Sequence, residues 1–281
     1  MVVKVVTDST CDLPSEVIEA QGITMIPCYI NMDGKSYRDA VDLSRDEFYE
    51  RLPELNMPAT TSAPGTGTFI NTYRRLLEGG ADEILSIHIS AKLSNVVNVA
   101  RLAAEEIGRD KVRVLDAGQL TIGTGLQVWE AAKAASAGRS AAEIINQLKH
   151  LGARIHTVAV ADTLEYLKRS GRLSAFQALL GALLQMKPLL AMNDDVIEME
   201  RTRTRQRALD WLMERLRDLG DLEQVVMVHT HAQDAIQALR AQVEELHPEL
   251  PKPLVVDVTP VLGAHLGPGV LGMTCVTAAS E

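Results

Sequence analysis

VVKVVTDSTCDLP, at residues 2–14, is an apolar run rich in valine that ends in small polar side chains and a proline. Valine favours β-strands, and Pro14 suits the first turn of a helix, so the segment predicts a strand that turns into a helix. Three further strands are predicted in the first half, at residues 23–32 (ITMIPCYINM), 81–90 (ADEILSIHIS) and 111–118 (KVRVLDAG). Amphipathic helical runs alternate with them, which is typical of a parallel sheet covered by helices.

The pattern changes after residue 152. A strand at residues 155–162 precedes two helical runs, at 164–170 and 175–186, and Asn193-Asp194-Asp195 is placed as the turn of a β-hairpin. Two final strands are predicted at residues 254–267 and 270–278. We therefore predict an α/β protein of two domains: an N-terminal, Rossmann-like parallel sheet with flanking helices (1–152) and a C-terminal mixed α/β sheet domain (153–281).

Composition narrows the class of protein. Of the 281 residues 46% are hydrophobic and 23% are charged, as in ordinary globular proteins, and the net charge of −9 disfavours nucleic-acid binding. No apolar stretch reaches the roughly 18 residues that a membrane span needs. The three cysteines lack CxxC spacing, which indicates neither a disulfide framework nor a structural zinc site. We expect a cytoplasmic protein with no membrane span.

Hydroxyl side chains precede two predicted helices. Thr61 and Ser62 come before the helical run at 67–79, and Ser94 comes before the run at 96–108. If they cap these helices, the free backbone N–H groups and helix dipoles would attract an anion such as a carboxylate. The alternative is that each residue is only a helix cap.

Other polar residues allow weaker interpretations. Asp8 and Asp116, each at a strand end, are either paired carboxylates or braces for neighbouring loops. His229 and His231 have a spacing that can bind metal on a strand, but no third ligand accompanies them. The nucleophile elbow GxSxG of serine hydrolases is absent.

Glycine-rich segments leave similar alternatives open. Gly118, Gly123 and Gly125 fit neither common phosphate-binding spacing and are more simply explained by a tight turn from strand to helix. His265 lies among glycines and a proline whose backbone could approach a ligand closely, or it is structural. Arg172 follows a predicted helix end and either faces an anion or lies on the surface. The apolar run 175–186 is either a buried helix or one wall of a lipid tunnel.

Seven segments together resemble the DegV family in their order and spacing across essentially the whole chain: TDSTCDLP (7–14), TTSAPG (60–65), SIHISAKLSN (86–95), LDAGQLTIGTG (115–125), LKRSGRLS (167–174), KPLL (187–190) and HLGPG (265–269). The resemblance implies two α/β domains with a long-chain fatty acid held between them. Some members of the family are binding subunits of bacterial fatty acid kinase and present the acyl carboxylate to a separate ATP-binding subunit.

The resemblance also implies roles for particular residues. Thr61 and Ser94 match hydroxyls that bind the carboxylate, Ser62 is a neighbour of that site, and Arg172 and His265 match residues linked to the head group or to kinase engagement. No catalytic residue, metal or cofactor is expected, the fatty acid being the ligand. The chain departs from the family's usual Leu-Ser-Gly-Thr at Asn95 and Val96, which would alter contacts to the head group. The alternative is a stand-alone enzyme of phosphoryl or acyl transfer with His265 as its base.

Overall fold

The structure is a computed structural model that describes residues 1–55, 57–172 and 186–279. Three β-sheets with helices packed against them make an α/β fold within these residues, and the predicted fold class is confirmed. Residues 175–185 of the apolar run lie outside the described part of the chain. The prediction that this run walls a lipid tunnel therefore stays a prediction.

Four parallel strands form the first sheet, and most of their apolar residues are buried. The strands are β1 (Val3–Asp8), β2 (Thr24–Ile26), β6 (Glu83–His88) and β7 (Val112–Asp116), in the order β2-β1-β6-β7. Helices pack against them, as the alternating pattern predicts: α1 (Ser15–Ala20), α3 (Thr66–Glu78), α4 (Val96–Ile107), α5 (Thr121–Ser136) and α6 (Ala141–Arg154). The carboxyl ends of the parallel strands meet at one edge, where the loops that carry polar residues begin.

A small antiparallel sheet was not predicted. Residues 23–32 divide at Pro27 and Cys28 into β2 and a second strand, β3 (Tyr29–Met32). This strand pairs with β4 (Lys35–Arg38) and β5 (Thr60–Ser62) in the order β4-β3-β5. Helix α2 (Arg45–Arg51) follows β4, and the Ser44 side chain caps it by accepting from the Glu47 backbone N–H at 3.2 Å.

The second half of the chain forms a six-stranded mixed sheet. Its strands are β8 (Ile155–Val160), β9 (Lys187–Asn193), β10 (Val196–Thr202), β11 (Leu222–His229), β12 (Leu254–Asp257) and β13 (Leu271–Thr277). They lie in the order β10-β9-β8-β13-β11-β12, and only the pair β11 and β12 is parallel. The accompanying helices are α7 (Glu165–Arg169), α8 (Arg205–Asp218), α9 (Gln233–Leu246) and α10 (Pro260–Leu266).

Two predictions for this half had different outcomes. The hairpin turn is confirmed, because Asp194 and Asp195 both have positive φ angles (41° and 64°) and join β9 directly to β10. The strand predicted at residues 254–267 is wrong beyond Asp257. Pro260 has no N–H for a sheet and takes the start of α10 instead, so His265 lies on a helix.

The two halves share buried surface. The largest apolar cluster joins residues of the parallel sheet to Val226, Val228, Val256 and Val258 from the second half. The domain boundary predicted at residue 152 falls within the last turn of α6. The division into two domains at that residue stays a prediction.

Close packing of α5 fixes the segment that follows β1. A Cβ atom added at Gly125 would lie 2.3 Å from the backbone oxygen of Cys11 and 2.9 Å from a methyl group of Ile122. Gly123 is similarly enclosed by the side chains of Gln119 and Thr157. These two glycines therefore serve helix packing, and only Gly118, with φ of 58°, meets the predicted need for a tight turn.

We expect Gly125→Ala to lower the free energy of unfolding by about 1–3 kcal/mol, because backbone atoms must shift to admit the methyl group. Urea denaturation measures this change. The matched control is Gly67→Ala, at an exposed helical position with open space around it, which should leave stability unchanged or raise it by about 0.5 kcal/mol. Equal effects of the two substitutions would contradict the packing argument.

Candidate functional site

Mostly apolar side chains from both halves line a partly open cavity. Its volume is about 840 Å³ when the space at its open mouth is included. The described residues that line it are Thr10, Thr61, Ile89, Leu93, Ser94 and Leu120 from the first half, and Thr157, Ala159, Leu167, Arg172, Leu190, Ala191, Met192, Ile197, Val261, Leu262, His265 and Leu266 from the second. The lining thus combines an aliphatic wall with a few hydroxyls, one imidazole and one guanidinium group.

Thr61 and His265 are joined directly across this cavity wall. Thr61 lies on β5 opposite Ile30, and its Oγ1 is 2.8 Å from Nε2 of His265 on α10. Nδ1 of His265 is buried and has no hydrogen-bond partner within the described residues. An unpaired lone pair there is less costly than an unpaired N–H, so we assign the proton to Nε2, which donates to Thr61. The Thr61 hydroxyl then keeps its own proton to donate to a ligand.

His265 is neutral at physiological pH. Burial, with a smaller contribution from the nearby Arg172 guanidinium, lowers the pKa of His265 to about 4. Arg172 follows α7, as predicted, and donates to the Ser170 backbone oxygen at 2.8 Å. The guanidinium group is therefore the cationic side chain among the described residues that line the cavity.

Ser94 reaches the same cavity from a loop that follows β6. Helix α4 begins at Val96, and the Ser94 hydroxyl accepts weakly from the Val96 backbone N–H at 3.4 Å. The position preceding the helix is taken by Asn95, whose side chain makes no cap. The prediction that Ser94 is the N-cap of α4 is therefore wrong by one residue, although its hydroxyl still contacts the first N–H group of the helix.

The capping prediction for Thr61 and Ser62 is wrong. Both residues lie on β5, and α3 begins only at Thr66, after Gly65. Because side chains alternate along a strand, Thr61 faces the cavity while Ser62 is exposed and is not among the described lining residues. The sequence therefore selects the Thr61 hydroxyl as a candidate ligand-binding group, but for the wrong reason, because Thr61 is on a strand and not at a helix end.

Thr10 is a lining hydroxyl that was not selected as a site residue from the sequence. Both its backbone N–H (3.0 Å) and its hydroxyl (2.5 Å) donate to Oδ1 of Asp8. Oδ2 of Asp8 is 2.7 Å from Nδ1 of His88, which is fully buried. Burial alone would raise the pKa of Asp8, but its hydrogen bonds with His88 and Thr10 lower it overall. The sequence feature that could have identified Thr10 as a lining residue is its position just after a parallel strand.

The chain of buried hydrogen bonds continues beyond His88. Its Nε2 is 2.7 Å from the Ser86 hydroxyl, which accepts from the Tyr73 hydroxyl at 2.9 Å. Asp8 thus braces a loop, as one of the two interpretations proposed. Asp116 accepts from the backbone of Ala91 and Gly118 and lies two strands away, about 10 Å at sheet spacing. The paired-carboxylate interpretation is therefore not supported.

A second buried network holds the start of α10. The Thr259 backbone N–H donates to Asp12 at 2.8 Å, and the Thr259 hydroxyl donates to Asp39. Arg45 is the nearby cation, 3.8 Å from Asp12. Burial raises the pKa of Asp12 to about 7 despite Arg45, and burial also raises the pKa of Asp39. These contacts between the halves orient the helix that carries His265.

The remaining candidates lie elsewhere. His229 ends β11, whereas His231 lies beyond the strand with φ of 48°, so the two do not share a strand face. In the part of the chain that the structure describes, no group of three His, Cys, Asp or Glu residues is placed to hold a metal ion. No described helix is long and apolar enough to cross a membrane. Gly263 and Gly267 pack on the rings of Tyr49 and Tyr166, so they serve packing rather than a ligand.

The fold and the cavity define a class of α/β proteins with an aliphatic chamber between a parallel and a mixed sheet. The profile described as "Uncharacterised protein, DegV family" matches residues 2–278, and the chain therefore belongs to the DegV family. A DegV domain-containing protein of Streptomyces coelicolor is 36% identical over 274 residues, covering 96% of this chain and 97% of that protein.

Solved structures give the same result. A DegV family protein from Thermus thermophilus, described by its fatty acid binding, has a TM-score of 0.90 and 32% identity, covering 99% of this chain and all of that chain. DegV from Bacillus subtilis, described as a fatty acid binding protein, has a TM-score of 0.89 and 29% identity with the same coverage. Fatty acid binding is thus a described property of DegV proteins with this fold.

We expect the His265 imidazole to titrate near pH 4 in the folded protein. Above pH 6.5 the residue is neutral both folded and unfolded, and as the pH falls towards 4 the unfolded chain takes up the proton first. The contribution of His265 to stability is therefore present above pH 6.5 and lost as the pH falls to 4. The free energy of unfolding should drop over this range by roughly 2 kcal/mol, after allowance for the partial exposure of the ring.

Two measurements check the lowered pKa of His265 and its effect on stability. NMR titration of the histidine ring signals should show one resonance with a midpoint near 4 that is missing in His265→Asn. The difference in unfolding free energy between the two proteins should narrow between pH 6.5 and 4. A midpoint near 6.5 would show that the imidazole is solvated rather than held against Thr61.

Proposed function

We propose that this protein binds one long-chain fatty acid in the cavity between its halves, with the carboxylate held by Thr61, Ser94 and their neighbours. The observation that carries the proposal is the composition of the lining: aliphatic side chains surround the chamber, and Thr61 has a hydroxyl proton free to donate. The fatty acid binding described for the Thermus and Bacillus proteins supports the choice of ligand.

The hydrocarbon chain should supply most of the affinity. Burial of about fifteen methylenes at about 0.8 kcal/mol each gives a gross gain of about 12 kcal/mol, which the loss of freedom on association reduces. Removing the carboxylate from water costs several kcal/mol unless hydrogen bonds replace its hydration. The hydroxyls should therefore determine the selectivity for an acid more than the tightness of binding.

We further propose that the bound acid is presented to a separate ATP-binding kinase subunit, and that this chain is not itself the catalyst. Arg172 lies beside His265 and could contact either the carboxylate or an incoming phosphate. The competing proposal is an enzyme with His265 as base. A pKa of about 4 makes His265 a weak proton acceptor at neutral pH, and no carboxylate contacts its Nδ1 within the described residues.

Organic extraction of the purified full chain, followed by mass spectrometry, tests the ligand. We expect release of a C14 to C20 fatty acid in a ratio approaching one per protein molecule. Incubation with ATP alone should produce no ADP and no acyl phosphate, because the separate kinase subunit catalyses the phosphoryl transfer in this proposal. An empty protein that consumes a substrate unaided would favour the enzyme instead.

We expect the double variant Thr61→Ala, Ser94→Ala to weaken binding of a fatty acid by about tenfold or more while barely changing binding of the fatty alcohol of equal length. The physical reason is that two hydrogen bonds to a charged group are lost while the aliphatic wall is retained. Competition with a fluorescent fatty acid measures both affinities. Ser62→Ala, an exposed neighbour on β5, is the control and should resemble the wild type. Equal weakening for acid and alcohol would refute this division of roles.

A further inference from the structure

The turn of the β9–β10 hairpin reaches across to the first half of the chain. Asp195, the second residue of this turn, donates its backbone N–H to the Gly118 oxygen at 2.9 Å. Its side chain accepts from the Ser90 hydroxyl, and its backbone oxygen accepts from Nζ of Lys92 at 2.7 Å. One residue of this turn is thus held by three groups from the loops that follow β6 and β7.

The loop that holds Asp195 is the loop that carries Ser94. The Ser90 backbone oxygen accepts from the N–H groups of Leu93 and Ser94, and its hydroxyl accepts from Lys92 N–H at 3.2 Å. Ser90 is fully buried, whereas Lys92 is exposed. Asp195 therefore contacts the loop whose residues Leu93 and Ser94 line the cavity.

Strand β10, which begins directly after Asp195, contributes Ile197 to the cavity wall. It is the edge strand of the mixed sheet and pairs with β9 through Val196–Asn193, Ile197–Met192 and the following residues. Ile197 and Met192 both line the cavity, whereas Val196 is 58% exposed. Hairpins at a sheet edge move locally at low free energy, so the position of Ile197 depends on what restrains the tip of this hairpin.

We infer that Asp195 is a latch: by binding Ser90, Lys92 and Gly118 it positions the start of β10 and keeps Ile197 in the cavity wall. Release of the latch lets the tip of the β9–β10 hairpin move away from the loops that follow β6 and β7 and opens a route for the acyl chain beside Ser94. Asp195 is thus a positioning residue that governs the rate of ligand exchange. This inference rests on the proposed function, since it assigns the route of the same ligand.

The turn offers a matched set of variants. Asp195→Gly removes the side-chain acceptor of the Ser90 hydroxyl, and glycine suits the positive φ angle. Asp195→Asn keeps a side-chain oxygen that can accept from Ser90, and asparagine also tolerates this φ angle. Lys92→Met removes the second contact at an exposed position. The control is Asp194→Gly in the same turn, because Asp194 is exposed and its side chain makes no hydrogen bond or ion pair to the described residues.

Stopped-flow displacement of a bound fluorescent fatty acid, cis-parinaric acid, from the full chain gives the dissociation rate constant. We expect Asp195→Gly to raise it about tenfold, and its combination with Lys92→Met to raise it further. Equilibrium affinity should change less, because a released hairpin speeds entry of the fatty acid as well as its exit. Asp195→Asn and Asp194→Gly should stay within about twofold of the wild type.

Hydrogen–deuterium exchange of the ligand-free proteins provides a second measurement that needs no fatty acid. The amide of residue 195, which donates to Gly118, and the amides of residues 196–199 that donate to β9 should exchange about tenfold faster in Asp195→Gly than in the wild type or in Asp194→Gly. Unchanged exchange there, or unchanged dissociation of parinaric acid, would overturn the latch. Failure of the wild-type protein to bind any fatty acid would instead overturn the proposed function, and the exchange data would still decide whether Asp195 restrains β10.

Discussion

The hydrogen bond between Thr61 and His265 is the contact on which the candidate site depends. It joins a strand of the small antiparallel sheet to a helix of the second half, so it exists only when the two halves are packed together. Because burial keeps His265 neutral, the imidazole can orient the Thr61 hydroxyl without adding a charge of its own. Orientation matters here, since a hydroxyl already directed at the ligand loses less rotational freedom on binding.

That contact in turn depends on polar groups buried deeper in the molecule. Asp12 and Asp39 hold Thr259 at the start of α10, and the Tyr49 hydroxyl donates to the Val258 oxygen at 2.8 Å. Gly263 lets the helix lie directly against the Tyr49 ring. A buried carboxylate is costly unless its oxygens accept hydrogen bonds, so these residues have little freedom to adopt another arrangement. The position of His265 is therefore set by contacts on the side of α10 remote from the ligand.

Local signals in the sequence predicted much of the fold. The valine-rich strands and the turn at Asp194 and Asp195 each depend on residues close together in the chain, and both were recognised. Thr61 was misplaced because a three-residue strand, paired with β3, leaves too short a pattern to distinguish from a helix start. The role of Asp12 could not be predicted, because its partner Thr259 lies 247 residues away. The burial of Asp12 accompanies that distant contact.

Hydrogen bonds within the cavity wall explain how a cavity with several hydroxyl groups can still accommodate a hydrocarbon chain. Thr157 faces the cavity from β8, yet its hydroxyl donates to Gln119 at 3.1 Å and shares a 3.0 Å hydrogen bond with Thr274. With these partners satisfied, Thr157 presents chiefly its methyl group, next to Met192 and Ile197 in the same cross-strand row. Thr61 differs because its neighbour His265 donates to it and leaves the hydroxyl proton unused. The identity of the hydrogen-bond partner, rather than the residue type, thus separates the lipid-like wall from the polar end.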